Sequence, residues 1–213
     1  MINGIQLKVC GLTRAEDAVT AAGVGADCLG FIFYPKSPRA LTLEQFKALA
    51  SRLPAGVRRV AVLVEPGLAE LSGALQAGFD FFQIHFKPTT PLALLHEWSE
   101  QVTPARLWLV PKLPPEAAVP PVLLPLAGTF LLDTFHPEKF GGTGETGDWV
   151  KFRHHQTAHP DKTWILSGGL TPENLAAAVR ASGAKFVDVN SGVESAPGIK
   201  DHAKLQALAV ALR

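Results

Sequence analysis

Residues 5–33, IQLKVCGLTRAEDAVTAAGVGADCLGFIF, contain two short apolar runs separated by an amphipathic stretch. Residues 5–10 and 26–33 have the length and composition of buried strands. Residues 13–22 between them repeat apolar side chains at helical spacing, and Thr13 is the predicted N-cap. A strand, a helix and a second strand in this order predict two parallel strands joined by a crossover helix.

The same alternation continues to the end of the chain. Strands are predicted over residues 5–10, 26–33, 59–64, 81–85, 106–110, 129–133, 163–167 and 186–190, and helices over 13–22, 42–51, 68–77, 92–101, 149–155, 171–181 and 200–212. Thr42 and Gln45 form a predicted capping box, and Pro172 is placed at the first helical position. The proline-rich segment 111–125 is too apolar for a solvated linker and is interpreted as a distorted part of a βα unit.

Eight βα units predict an α/β protein with a single (β/α)8 TIM barrel, residues 1–213 forming one catalytic domain. The alternative is an open, doubly wound sheet. That fold more typically carries a Gly-x-Gly-x-x-Gly turn after its first strand, and this chain has none there.

The composition excludes several classes of function. A net charge of +1 over 213 residues gives no basic field, so nucleic acid is not an expected partner. No apolar run reaches the roughly 18 residues of a membrane span, and the start resembles no signal peptide, so we expect a cytoplasmic protein without a membrane partner. Two cysteines make no disulfide framework, and Cys28, within an apolar run, is interpreted as a small core residue. No metal is expected, because no His, Cys, Asp and Glu cluster has ligand spacing.

Two polar side chains at predicted strand ends suggest acid–base chemistry. Alternation along the first strand places Lys8 and Cys10 on its inner face, and a cation beside a thiol favours the reactive thiolate. Asp133 ends an apolar strand, where partial desolvation raises the pKa of a carboxyl and suits it to donating a proton. The alternatives are an inert buried cysteine and an aspartate that caps the following loop.

Two glycine-rich turns predict an anion site. Ser167-Gly168-Gly169 and Asn190-Ser191-Gly192 follow the seventh and eighth strands, where barrels often bind phosphate through backbone N–H groups. Arg39, after the second strand, could bind a substrate carboxylate, or it could be a solvated loop residue. His85, at the end of the fourth strand, is interpreted as a histidine oriented for structural reasons. The glycine-rich loop 141–147 suits a segment that closes over the active site.

In combination, these segments resemble the phosphoribosylanthranilate isomerase family of tryptophan biosynthesis. The matching segments cover nearly the whole chain in order and are KVCGLT at 8–13, GFIF at 30–33, SPR at 37–39, QIH at 83–85, LD at 132–133, GGTG at 141–144, LSGGL at 166–170, DVNSGVE at 188–194 and PGIKD at 197–201.

The resemblance implies an Amadori rearrangement of N-(5-phosphoribosyl)anthranilate to an open-chain deoxyribulose 5-phosphate, with no cofactor. It implies Asp133 as general acid and Cys10 as general base. It further implies that Arg39 binds the anthranilate carboxylate and that the turns bind the phosphate. The substrate-binding residues implied are Arg39, His85, Gly168, Gly169, Asp188, Asn190, Ser191 and Gly192. The partner is then a phosphorylated small molecule, and the protein is a monomer or a homodimer.

Three positions depart from the family pattern: Phe86 stands where glycine is expected, Asn190 where serine is usual, and Gly147 in place of an aromatic residue. Two other barrel enzymes are alternatives. The histidine-pathway isomerase performs the same rearrangement with two aspartates, and Cys10 argues against it. Indole-3-glycerol-phosphate synthase has a lysine–glutamate pattern that this chain lacks. A third alternative is a non-catalytic phosphate-binding barrel, which would need neither Cys10 nor Asp133.

Overall fold

Eight parallel strands close into a barrel in the computed structural model, which describes residues 1–114, 117–133 and 148–213. The strands are β1 (Gln6–Val9), β2 (Cys28–Ile32), β3 (Arg58–Val64), β4 (Phe81–Phe86), β5 (Leu107–Pro111), β6 (Thr129–Leu132), β7 (Thr163–Leu166) and β8 (Phe186–Val189). β1 pairs with β8 from Gln6 opposite Phe186 to Val9 opposite Val189, and this pairing closes the sheet. The predicted (β/α)8 barrel is confirmed, and the open doubly wound sheet is wrong.

Helices flank the barrel between successive strands. They are α1 (Ala15–Gly23), α2 (Leu43–Ala50), α3 (Leu68–Gln76), α4 (Leu92–Val102), α5 (Trp149–Ala158), α6 (Leu175–Ser182) and α7 (His202–Ala211). A 3₁₀ helix at Pro121–Leu126 stands between β5 and β6, which confirms that the proline-rich segment belongs to a distorted βα unit. After β8, a 3₁₀ turn at Ser191–Val193 leads into a hairpin of β9 (Glu194–Ala196) and β10 (Ile199–Lys200), which precedes α7.

Local capping explains where the helices begin. The capping box at α2 is confirmed, because Gln45 N donates to Thr42 Oγ1 at 3.1 Å and Thr42 N donates to Gln45 Oε1 at 2.8 Å. The predicted cap at Thr13 is wrong. The Thr13 hydroxyl instead donates to the carbonyl of Gly198 at 2.5 Å, and α1 begins two residues later with Arg14 as its N-cap.

The predicted start of α6 is also wrong. Asn174 Oδ1 accepts from Thr171 N at 2.9 Å, and Asn174 Nδ2 donates to Gly169 O at 2.8 Å. These bonds hold residues 171–174 in a turn, so Pro172 precedes the helix, which begins at Leu175.

Two apolar clusters fill the molecule. The larger one, which includes Leu7 and Val9, packs between the sheet and the helices. The second lies inside the barrel and comprises Cys10, Cys28, Ile32, Val60, Val62, Trp108, Val110, Leu131, Ile165 and Phe186. The alternation predicted for β1 is therefore present, with Leu7 and Val9 outside and Cys10 inside.

Aromatic rings occupy the end of the barrel interior where the strands begin. Trp108 stacks on Phe81 with ring centroids 4.9 Å apart and meets Phe186 edge-on at 5.6 Å. Phe81 and Phe186 are the first residues of their strands. The interior is therefore filled at this end, whereas a cavity opens toward the carboxyl ends of the strands.

Among the described residues, no helix combines the length and the apolar character that crossing a bilayer requires. The glycine-rich loop 141–147, predicted to close over the active site, lies outside the described residues.

Candidate active site

A cavity of about 420 Å³ opens at the carboxyl ends of the strands. Its lining includes all ten residues that the sequence singled out as catalytic or substrate-binding: Cys10, Arg39, His85, Asp133, Gly168, Gly169, Asp188, Asn190, Ser191 and Gly192. Tyr34, Lys36 and Gln83, which sequence reasoning did not select, also line it. The thiol of β1 and the carboxyl that follows β6 thus face one shared space, of a size that holds a small ligand.

A buried ion pair lies next to the thiol. Lys8 Nζ donates to both carboxylate oxygens of Asp188 at 2.9 Å, between residues that are directly opposed in the β1–β8 register. Burial alone would lower the pKa of Lys8, but the carboxylate of Asp188 outweighs it and raises that pKa. Lys8 therefore stays protonated, and Asp188 both lines the cavity and neutralises this cation.

Cys10 is buried, and its pKa is raised from the ordinary value of a thiol. Burial is the largest cause, and the carboxylate of Asp188 adds to it, while the cations of Lys8 and Lys200 act in the opposite direction. Lys8 favours the thiolate, as expected, but burial has the larger effect, and the pKa of Cys10 is raised overall.

Asp133 directly follows β6 and is half-buried. Ser167, at the end of the adjacent strand β7, donates from its hydroxyl to Asp133 Oδ1 at 3.4 Å. The carboxyl is thus held between two neighbouring strand ends and faces the cavity.

His85 and Gln83 stand together on the inner face of β4. Gln83 Nε2 lies 2.8 Å from His85 Nε2 and donates to it when the imidazole carries its proton on Nδ1. Burial, with a smaller effect from Lys8, lowers the pKa of His85 to about 3, so the imidazole is neutral. Gln83 is 2% exposed, and its Oε1 has no hydrogen-bond partner among the described residues. A buried acceptor of this kind on a cavity wall is suited to a donor on a ligand.

Arg39 is held by a carboxylate that the sequence did not reveal. Its Nε donates to Glu194 Oε1 at 2.9 Å, and its Nη2 donates to Glu194 Oε2 at 2.6 Å. The hydrogen bonding that Arg39 donates to Glu194 is the main reason that the pKa of Arg39 is raised. With its side chain 11% exposed, Arg39 is not a solvated loop residue. Its remaining N–H groups are left to bind an anion in the cavity.

The two glycine-rich turns form one backbone surface. Gly168 and Gly169 have positive φ angles of 95° and 57°. Gly192 packs against the turn after β7 so closely that a Cβ there would lie 2.0 Å from Leu170 O. The turns after β7 and β8 therefore meet backbone to backbone at the edge of the cavity, as the sequence suggested for an anion site.

Within residues 1–114, 117–133 and 148–213, no three His, Cys, Asp or Glu side chains lie close enough together to form a metal site. Cys10 and Cys28 are both free thiols.

Comparison with known proteins adds an independent line of evidence. Residues 7–210 match the family model described as N-(5'-phosphoribosyl)anthranilate isomerase. The chain is 39% identical over 213 residues to the N-(5'-phosphoribosyl)anthranilate isomerase of Pseudomonas fluorescens strain Pf0-1, with 100% of both sequences covered.

Solved structures agree. The phosphoribosyl anthranilate isomerase of Thermus thermophilus superimposes with a TM-score of 0.79 at 31% identity, covering 98% of each chain. A phosphoribosyl anthranilate isomerase in complex with reduced 1-(o-carboxyphenylamino)-1-deoxyribulose 5-phosphate gives a TM-score of 0.74 at 29% identity, again over 98% of each chain.

Proposed function

The chain belongs to the N-(5'-phosphoribosyl)anthranilate isomerase family, whose members are intramolecular aldose–ketose isomerases of tryptophan synthesis, and on this basis we propose which of its residues carry out the rearrangement. The substrate is N-(5'-phosphoribosyl)anthranilate and the product is 1-(2-carboxyphenylamino)-1-deoxyribulose 5-phosphate. The family that matches is neither the histidine-pathway isomerase nor indole-3-glycerol-phosphate synthase. Whether the chain is a monomer or a homodimer stays a prediction.

Asp133 is the proposed general acid. Its proton passes to the furanose ring oxygen, the bond from C1 to that oxygen breaks, and the anilino nitrogen lone pair forms the C1=N bond of a Schiff base. The half-buried position of Asp133 and its contact with Ser167 support this role, because a general acid must be held within reach of one atom.

Cys10 is the proposed general base. In its thiolate form it removes the proton from C2 of the sugar, and the electron pair of that bond forms C1=C2 while the C1=N electrons return to nitrogen. The resulting enolamine tautomerises to the ketone as C1 gains a proton and the C2 hydroxyl loses one. The neighbouring Lys8 and Lys200 support this role, because both cations lower the pKa of the thiol.

The remaining residues are proposed to hold the two charged ends of the substrate. Arg39 binds the anthranilate carboxylate through the N–H groups that Glu194 leaves available. The turns at 168–169 and 190–192 bind the phosphate. His85, neutral because of its low pKa, and Gln83, through Oε1, contact the polar centre of the substrate between them. Fixing both ends orients the C1–C2 region between acid and base.

The observation that carries the proposal is the shared cavity. A thiol, a carboxyl, a guanidinium and two glycine-rich turns come from five different parts of the chain and line one space of about 420 Å³. A structural barrel has no need to collect these groups at one end of its strands.

The test is a fluorescence assay for the loss of phosphoribosylanthranilate generated in situ. Cys10→Ser and Asp133→Asn should each reduce kcat by about 10²- to 10⁴-fold, because each removes one positioned proton-transfer group. Cys28→Ala is the matched control, a buried interior thiol that does not line the cavity, and it should keep wild-type kcat. Undiminished turnover in Cys10→Ser or in Asp133→Asn would remove that residue from the mechanism.

A further inference from the structure

The hairpin β9–β10 contains the segment Pro197-Gly198-Ile199-Lys200-Asp201, to which the proposed reaction assigns no role. Lys200 ends the hairpin and is 2% exposed, although none of its atoms lines the cavity. A buried lysine is costly to fold, so its position needs a physical reason.

Lys200 makes contacts with both halves of the proposed substrate site. Its Nζ donates to Glu194 Oε1 at 2.9 Å, and Glu194 in turn holds Arg39. The same Nζ donates to Asn190 Oδ1 at 2.9 Å and to Asn190 O at 3.1 Å. Three acceptors use all three protons of an ammonium group, so the lysine is charged in this arrangement.

Arg39 and Asn190, which Lys200 connects, approach each other beside Gly11, shortly after β1. A Cβ at Gly11 would be 2.5 Å from Asn190 Oδ1 and 2.7 Å from Arg39 Cδ. Only a residue without a side chain leaves room for both at this position. The chain of contacts Arg39–Glu194–Lys200–Asn190 is therefore continuous from the carboxylate end to the phosphate end.

The hairpin itself is fixed, which makes Lys200 a rigid element of this chain of contacts. Lys200 N donates to Asp17 Oδ2 at 3.0 Å, and the carboxylate of Asp17 also accepts two hydrogen bonds from Arg14. On its other side, the hairpin carbonyl of Gly198 accepts from Thr13. Asp17 of α1 and the preceding Thr13 therefore anchor the backbone of the hairpin on both sides of Ile199.

We propose that Lys200 is a positioning residue that couples the two ends of the substrate site, fixing Arg39 through Glu194 for the carboxylate and Asn190 directly for the phosphate. The inference rests on the proposed function, since it takes the carboxylate and phosphate roles from there. One ammonium group then sets the distance between the two anion sites, and thereby the length of substrate that fits.

The experiment compares Lys200→Met with Lys204→Met. Both lysines hold the same hairpin, but Lys204 is exposed, and its Nζ donates to the backbone carbonyl of Glu194, at 2.9 Å, rather than to a side chain. The inhibition constant is measured for three probes. The first is reduced 1-(o-carboxyphenylamino)-1-deoxyribulose 5-phosphate, called the reduced product below. The other two are its analogue without the carboxyl group and its analogue without the phosphate.

For Lys200→Met we expect the reduced product to bind about 100-fold more weakly and each truncated analogue about 10-fold more weakly, since a hydrogen-bonded charge positions each end. Lys204→Met should bind all three probes like the wild type. Wild-type affinity of Lys200→Met for either truncated analogue would overturn the coupling, because Lys200 would then serve at most one end.

A variant that fails to fold still leaves a test. Lys200→Arg keeps the charge but replaces three tetrahedral donors by a planar fork, so the same pattern of losses is expected at a smaller size. Equal affinity of Lys200→Arg and wild type for all probes would overturn the proposal. Failure of the wild type to bind the reduced product would instead refute the proposed function, which separates the two outcomes.

Discussion

The two ends of the barrel interior are built on opposite principles. Where the strands begin, Phe81, Trp108 and Phe186 pack ring against ring. Where the strands end, the interior holds the ion pair of Lys8 with Asp188. Burying apolar rings stabilises the fold directly, whereas burying charges costs free energy that their pairing only partly returns. The difference indicates that the aromatic end serves stability and that the polar end is retained for chemistry.

Removing the central ring of the aromatic end should separate stability from catalysis most clearly. Trp108→Ala deletes a side chain that is 3% exposed and should lower the free energy of unfolding by about 3–5 kcal/mol, measured by denaturant titration. The folded fraction should keep wild-type kcat and KM, because Trp108 does not line the cavity. Cys10→Ser is the counterpart at the polar end, with turnover lost and stability within about 1 kcal/mol of wild type. A large kinetic defect in folded Trp108→Ala would break the comparison.

At the polar end, Arg39→Ala should act mainly on binding. Loss of a charged hydrogen-bonding group should raise KM by about 10- to 100-fold with a smaller change in kcat, measured by steady-state kinetics. The exposed Arg52→Ala is the control for a lost surface guanidinium and should leave both constants unchanged. Unchanged KM and kcat in Arg39→Ala would contradict its proposed contact with the carboxylate.

Substitution of Gln83 tests whether its buried Oε1, which has no hydrogen-bond partner among the described residues, accepts a hydrogen bond from the substrate. Gln83→Leu should reduce kcat/KM by about 10-fold, because one neutral hydrogen bond to the substrate is lost. Gln101 offers a matched control, since its Oε1 is also buried without a partner but does not line the cavity. If Gln101→Leu lowered kcat/KM as much as Gln83→Leu, the effect would be structural.

The smallest expected effect concerns pH, because we expect kcat/KM to stay constant over a range of pH. The productive form needs protonated Asp133 together with ionised Cys10, although a carboxyl ordinarily loses its proton at lower pH than a thiol. As pH rises between the two pKa values, the protonated carboxyl falls tenfold per unit while the thiolate rises tenfold, so their product is constant. Because burial raises the pKa of Cys10, this plateau should extend to alkaline pH.

In a Cys28→Ala background, the pH dependence of iodoacetamide alkylation gives the pKa of Cys10. The alkaline decline of kcat/KM should follow that value. A tenfold rise in kcat/KM per pH unit through neutrality would show that Asp133 does not act as the titrating acid.

The sequence predicted the barrel and the lining of its cavity well, because both depend on local pattern. Strand ends mark the position of Cys10 and Asp133, and glycine-rich turns mark the proposed anion site. Contacts between distant residues were beyond such reasoning. Glu194 lies 155 residues from Arg39, and the local sequence around either residue does not predict their ion pair.

The wrong prediction at Thr13 and the raised pKa of Cys10 have the same origin. Thr13 has the right position for an N-cap, but its hydroxyl is taken by Gly198, 185 residues away. At Cys10, the local sequence shows the cation of Lys8 but neither the burial that raises the pKa of the thiol nor Asp188, 180 residues from Lys8, which pairs with that cation. In both cases the tertiary structure changed the outcome that the local sequence favoured.

The close contact between Gly192 and Leu170 bears on which parts of such an enzyme could be transferred to another barrel. Both turns that are proposed to bind the phosphate lie within residues 163–193, so one short piece of chain carries both of them. The proton-transfer pair is distributed between the first strand and the sixth. A graft of the short piece into another barrel would therefore carry affinity for a phosphate ester with it, while the isomerase chemistry could be inherited only from nearly the entire polypeptide.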